Sequence, residues 1–246
     1  MNMKDLEKVI MIEGKSKGQK IRALVCGHTG ATGKALVKAL NDSPYCESIV
    51  AIGRREYQEF KEMKKVTQHI VPDMTKLNTV DINIAKGANA AFCCIGTPFT
   101  DVFSKKKQDD YHKVDFGIAT GFAKFAHDAG VDYYTTITGE GTEKESNSNM
   151  HMYRVKQDVE KYVTALQFDR TTFIRPGFLN RGKDAGFVEK LMLPGLFGIE
   201  VKKVAESMIW SALTQSKKLD GPSGNKELKR MALEFEKANE TAKRRG

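Results

Sequence analysis

Along the chain, short apolar runs alternate with stretches whose apolar residues recur at helical spacing. The first run, "IRALVCG" (21–27), ends in glycine. In "HTGATGKALVKALND", which follows, Leu36, Val37 and Leu40 share one helical face, and "NDSP" supplies a stop. "ESIVAIGRR", "QHIVPD" and "ANAAFCCIGT" read as the second, third and fourth strands. The unbroken apolar character of the fourth suits a strand buried on both faces. "KVDFGIATGFAKFAHDAG" (113–130) predicts a helix closed by Gly130, and "VDYYTTITG" a fifth strand. From 152 to 166, Met152, Val155, Val159, Tyr162, Val163 and Leu166 fall on one helical face. "FDRTTFIRPG" is the sixth strand; beyond Phe178 the pattern loosens, with helices expected near 201–215 and 226–238.

Strands alternating with helices at this spacing predict an α/β fold with a doubly wound parallel sheet and helices on both faces. A polar extension (1–20) precedes a single domain (21–246). Within it, 21–178 forms the nucleotide-binding core, and 179–246 a small C-terminal cap on the substrate side of the crevice.

Composition narrows the picture. With 246 residues, 40% hydrophobic and 29% charged, the chain is of ordinary globular type. Forty Lys+Arg against 31 Asp+Glu give +9, a balance suited to an anionic partner. The surplus is dispersed, with short clusters at Lys105–Lys107 and Lys243–Arg245. A long basic tract interleaved with aromatics is missing, which disfavours nucleic acid. Cys26, Cys46, Cys93 and Cys94 have no C-x-x-C spacing, so a reducing compartment is expected and a metal site is not. The N-terminus has no secretory apolar region, and no stretch approaches the roughly 18 apolar residues of a membrane span. These features set the expectation of a cytoplasmic protein, with the nucleus as a further location.

Candidate chemistry starts at the first strand-to-helix turn. Gly27, Gly30 and Gly33 form G-x-x-G-x-x-G there. Glycines allow the sharp turn and the close approach of a pyrophosphate, which the helix N-terminus then holds. Gly27, Thr29, Gly30, Ala31, Thr32 and Gly33 are therefore candidate cofactor contacts. Where NAD-binding chains place Asp or Glu after the second strand, this chain has Gly53, Arg54 and Arg55. Guanidinium groups match a phosphate in charge and shape, so NADPH is favoured over NADH. Asp73 is positioned for the adenine edge, and Gly96 and Thr97 for the ribose.

The ordered set "GHTGATG", "AIGRR", "VPDM", "FCCIGT", "VKQDVE" and "FDRTTFIRPGFL" resembles the atypical short-chain dehydrogenase/reductases, and within them the Tat-interacting protein group of NADP-binding oxidoreductase-like proteins. The resemblance implies a Rossmann fold, NADPH in the glycine crevice and a Ser/Thr–Tyr–Lys active site. It assigns Lys156 as the active-site lysine and Pro176 and Gly177 as the segment beside the nicotinamide. The family serine falls around Thr138. The family tyrosine stands four residues before the lysine, where this chain has Met152; Tyr153 lies one step later.

That single step matters for proton chemistry. Residues four apart on a helix are separated by about 40° around its axis, whereas a one-residue shift turns a side chain through about 100°. Methionine cannot transfer a proton. A π-bulge between Tyr153 and Lys156 would restore the alignment. His151 lies about 140° from Lys156 and reads as a surface or loop histidine; Tyr111 and His112 are remote alternatives on a charged surface loop. The expected function is an NADP(H)-binding oxidoreductase acting on a carbonyl or alcohol, with Lys156, Thr138 and Tyr153 as candidate catalytic residues. The alternative is a weak or inactive NADPH-binding regulator that engages a protein partner.

Overall fold

In the structure, a computed structural model, residues 20–97, 112–181, 198–214, 221 and 223–245 are described. Tyr111 and nearly all of the N-terminal extension lie outside them. Six parallel strands form one sheet: β1 (Ile21–Cys26), β2 (Cys46–Gly53), β3 (Val66–Ile70), β4 (Ala90–Cys93), β5 (Tyr133–Ile137) and β6 (Arg170–Ile174). Their order across the sheet is β3-β2-β1-β4-β5-β6. The strand order reverses direction at β1, which opens a crevice between the carboxyl ends of β1 and β4, as in Rossmann folds.

Alternation along the strands decides which helix covers which face. Ala23 and Val25 of β1, Phe92 of β4 and Tyr133 of β5 pack on one side. Leu24, Cys26, Ala91, Cys93 and Tyr134 pack on the other. Three helices cover the first face: α1 (Ala31–Asn41) through Leu36, Val37 and Leu40, α4 (Val201–Thr214) through Val204 and Met208, and α5 (Asn225–Lys243) through Leu228, Met231 and Phe235. The second face is covered by α2 (Ala119–Asp128) through Phe122 and Ala123, and by α3 (His151–Leu166) through Val159 and Val163.

Two outcomes refine the sequence reading. The C-terminal segment does more than border the crevice, because α4 and α5 complete a helical layer with α1. At the end of β6, Arg175 bridges Ser223, and Asn225 Oδ1, at the start of α5, accepts from Gly177 N at 2.9 Å. The helix expected over 113–130 starts with a π-helical segment, Lys113–Ile118, before α2. In contrast, α3 is an unbroken α-helix from His151 to Leu166. The π-turn that would realign Tyr153 with Lys156 is not there.

Candidate functional site

The glycine turn is shaped by contacts that a side chain would destroy. Gly27 has φ +81°, and a Cβ on it would lie 2.9 Å from the Cys94 carbonyl carbon and oxygen. A Cβ on Gly33 would come within 2.1 Å of Gly27 O, so this glycine lets α1 press against the turn. Gly30 differs. It is exposed, has φ −76° and ψ 165° as the N-cap of α1, and its added Cβ would meet only Gly27 O, at 3.3 Å. No side chain caps α1 and no acid occupies its first turn. The first N–H groups of the helix, on Ala31, Thr32 and Gly33, therefore have no side-chain cap and stand at the positive end of the dipole. Thr29 is half-buried beside them.

β2 ends at Gly53, against which the His28 ring is packed; a Cβ there would lie 2.6 Å from His28 Cε1. His28 is fully buried, and burial pushes its imidazole below the ordinary histidine range. Arg54 and Arg55 follow, both exposed past the carboxyl end of β2. Asp73 caps the 3-10 turn Met74–Thr79. Its Oδ1 accepts from Thr75 Oγ1 at 2.6 Å and Thr75 N at 3.1 Å. Those bonds hold its carboxyl below the usual carboxylate range.

At the end of β4 the structure brings together residues distant in sequence. Lys156 Nζ donates to Asp115 Oδ1 at 2.6 Å, and Thr97 N donates to Asp115 Oδ2 at 2.9 Å. A Cβ on Gly96 would lie 3.9 Å from both Asp115 Oδ1 and Lys156 Nζ. Asp115 is 1% exposed and the Lys156 side chain 11%. Asp115 was not among the residues singled out from the sequence. A signal existed: it occupies the apolar face of its helix, in step with the buried Ile118, Ala119 and Phe122.

Thr138 is drawn elsewhere. Its hydroxyl donates to Glu160 Oε1 at 2.7 Å. Glu160 also accepts from Arg175 Nε at 2.9 Å and, on its other oxygen, from Arg175 Nη2 at 2.7 Å. Thr138 is thus tied into a largely buried ion-pair network between β5, α3 and β6. Tyr153 is half-buried, and its ring lies 3.4 Å from where a Cβ on Gly141 would stand, in the turn after β5. Met152 is half-buried one position earlier, and His151 opens α3, also half-buried. Pro176 O accepts from Glu140 N at 2.8 Å, while Gly177 is crowded by Glu140 and Asn225. His112 stacks on Phe116 with ring centroids 5.1 Å apart.

Burial keeps the thiols in their protonated form. Burial raises the pKa of Cys26, Cys93 and Cys94 and pushes Cys46 up to about 12. Among the described residues no cluster of His, Cys, Asp and Glu could hold a metal, and no helix is long and apolar enough to cross a membrane.

Residues 22–116 match the family described as semialdehyde dehydrogenase, NAD binding domain. The chain is 30% identical over 178 residues to Protein HTATIP2 of Rattus norvegicus, spanning 72% of this chain and 70% of that one. It is 29% identical over 218 residues to "Protein FMP52, mitochondrial" of Debaryomyces hansenii, spanning 81% and 91%. Among solved structures, MoeE5 in complex with UDP-glucose and NAD is similar with a TM-score of 0.64, at 16% identity over 87% of this chain and 81% of that one. The oxidoreductase ylbE from Lactococcus lactis gives 0.60 at 18% identity over 87% and 97%. At such identities the two structures speak for the fold alone. The FMP52 relatives are named mitochondrial, which overturns the cytoplasmic and nuclear location expected from composition. The physical reason for the error is that cysteine spacing and apolar-run length report redox environment and membrane spans, not compartment.

Proposed function

Because the chain belongs to the HTATIP2 and FMP52 family of NAD(P)-binding, Rossmann-type oxidoreductase-like proteins, we propose that it binds NADP(H) in the crevice between β1 and β4. Its turnover of carbonyl or alcohol substrates is slow for want of a proton donor at position 152. One observation carries the cofactor half of this reading: an exposed glycine N-cap on an uncapped helix, with two exposed arginines where β2 ends. The residues fit the group. Gly27, Thr29, Gly30, Ala31, Thr32 and Gly33 offer backbone to a pyrophosphate. Arg54 and Arg55 offer forked donors to a 2′-phosphate, and Gly53 carries no carboxylate to repel it. Asp73 stands at the adenine side, Gly96, Thr97 and Lys156 along the nicotinamide ribose, and Pro176 and Gly177 beside the ring. These residues make a single domain of 21–246 sufficient for the site.

When bound, NADPH supplies a hydride. Proton delivery to the carbonyl oxygen falls to the chain, and the regular geometry of α3 supports the view that Tyr153 does not deliver it. Thr138 can donate to a substrate carbonyl only by giving up its bond to Glu160. The same Met152 favours a second reading, in which the NADPH-loaded protein acts as a regulator that engages a protein partner. Calorimetric titration with NADPH and NADH tests the cofactor half. NADPH should bind tighter, and Arg54→Ala with Arg55→Ala should remove about 1.5–3 kcal/mol of its binding with little change for NADH. Equal affinities in the unaltered protein refute it. NADPH oxidation with a panel of carbonyl compounds separates a slow reductase from a regulator.

A further inference from the structure

Lys156 carries its charge beside the end of β4, but not as a bare cation. Its ammonium is bonded to Asp115 at 2.6 Å, and the second carboxylate oxygen is held by Thr97 N at 2.9 Å. The carboxylate is 1% exposed and the lysine side chain 11%, so water screens the pair poorly and each charge is felt by neighbours. Lys156 and Asp115 come from different helical segments, 41 residues apart. Asp115 sits in the π-helical stretch Lys113–Ile118, and π-turns often occur at functional sites.

The two states of a nicotinamide dinucleotide differ at one end only. The oxidised ring carries a positive charge and the reduced ring does not. A lone ammonium beside the ribose of that ring disfavours the oxidised form, and a lone carboxylate favours it. A neutral pair does neither. Resting on the reading that Lys156 lines the nicotinamide ribose, we infer that Asp115 is a positioning residue of this site. It fixes the Lys156 ammonium at the end of β4 and cancels its charge, so that the protein holds NADP+ and NADPH with comparable affinity.

The test is a set of binding measurements on the full chain, with NADP+ and NADPH titrated separately by calorimetry into the parent, Asp115→Asn, Lys156→Met and the double variant. Asp115→Asn should raise the ratio of the NADP+ to the NADPH dissociation constant by at least about tenfold, the effect of an uncompensated unit charge beside the ribose at an effective dielectric of about 20. Lys156→Met should lower the ratio by a similar factor, and the double variant should return it toward the parent value. A merely structural role for the pair would weaken both ligands together and leave the ratio unmoved. An unmoved ratio, or one shifted in the same direction by both single variants, overturns the inference. Circular dichroism checks each fold. If Asp115→Asn does not fold, the sign of the shift in Lys156→Met and its cancellation in the double variant still decide. A parent that binds neither form refutes the cofactor reading itself, whereas a parent that binds both with unmoved ratios in the variants refutes only the role of Asp115.

Discussion

Gly30→Asp separates cofactor binding from folding, because the three glycines of the turn are needed for different reasons. Gly30 is exposed, its φ of −76° suits any residue, and an added Cβ meets only Gly27 O, at 3.3 Å. The neighbour must yield by a few tenths of an ångström, and in return the carboxylate becomes an N-cap on a helix that has none. Aspartate exceeds glycine at that position by a few tenths of a kcal/mol, so the two effects roughly cancel. For a chain of this size 1 kcal/mol corresponds to about 2–4 °C in Tm, and the expected change is within about 2 °C. Binding should respond very differently. The new carboxylate would stand at the helix N-terminus, where the pyrophosphate has to sit. Two unit charges about 4 Å apart at an effective dielectric of about 20 repel by about 4 kcal/mol, near a thousandfold in affinity. Thermal unfolding followed by circular dichroism gives the first quantity, and calorimetric titration with NADPH the second. A folded Gly30→Asp protein that keeps NADPH affinity within tenfold of the parent would refute the placement of the pyrophosphate. A protein that unfolds would refute the claim that Gly30 is spared for the ligand.

Gly33→Ala should do the opposite: its Cβ would lie 2.1 Å from Gly27 O, backbone cannot give that far cheaply, and a loss of about 1–3 kcal/mol is expected, read as a lower denaturation midpoint. Met152→Tyr puts a phenol four residues before Lys156 and should raise NADPH-dependent carbonyl reduction at least about tenfold, within the range of general acid catalysis. Tyr153→Phe should leave the parent rate unchanged, and abolition of a robust parental rate by that variant would restore Tyr153 as the acid. His28 is buried with its pKa lowered, mainly by burial, so the unfolded chain takes up its proton first as the solution is acidified. Its stabilising contribution is complete above the unfolded value of about 6.5 and is lost as pH falls below it. Melting curves across that window should fall more steeply for the parent than for His28→Asn, and parallel curves would count against the buried neutral imidazole.

Local pattern was enough for much of the architecture. The apolar runs overlap all six strands: β1, β4, β5 and β6 lie within theirs, whereas β2 starts one residue and β3 two residues before the run, because an edge strand such as β3, with no buried residue, carries a weaker apolar signal than a strand buried on both faces. Val155, Val159 and Val163 are the buried face of α3, as the helical spacing requires. The glycine turn was legible as a spacing, but only Gly33 answers a local constraint, the approach of α1 to Gly27 O; Gly27 faces the Cys94 carbonyl and Gly30 has room for a side chain. The fourth run was read too long. Only Ala90–Cys93 pair as a strand, and Cys94 to Thr97 leave the sheet where the crevice opens.

What the sequence by itself determined is therefore most of the strands and helices, the glycine-rich turn, the arginine pair after β2 and the methionine four residues before Lys156. Each is a property of residues within about ten positions of one another. Only the tertiary structure decided the pairings. Asp115 meets Lys156 and Thr97, and Thr138 turns to Glu160 and Arg175. Periodicity could place Asp115 on an apolar face but not say which cation neutralises it. A buried charge needs a partner, and the partner is whichever opposite charge the packing of the sheet and its helices brings within reach. The same holds for the π-turn, which the chain puts beneath Asp115 and not in α3. An extra residue in a helical turn swings the following side chains by about 100°, and which turn takes it up is settled by the contacts those side chains have to make.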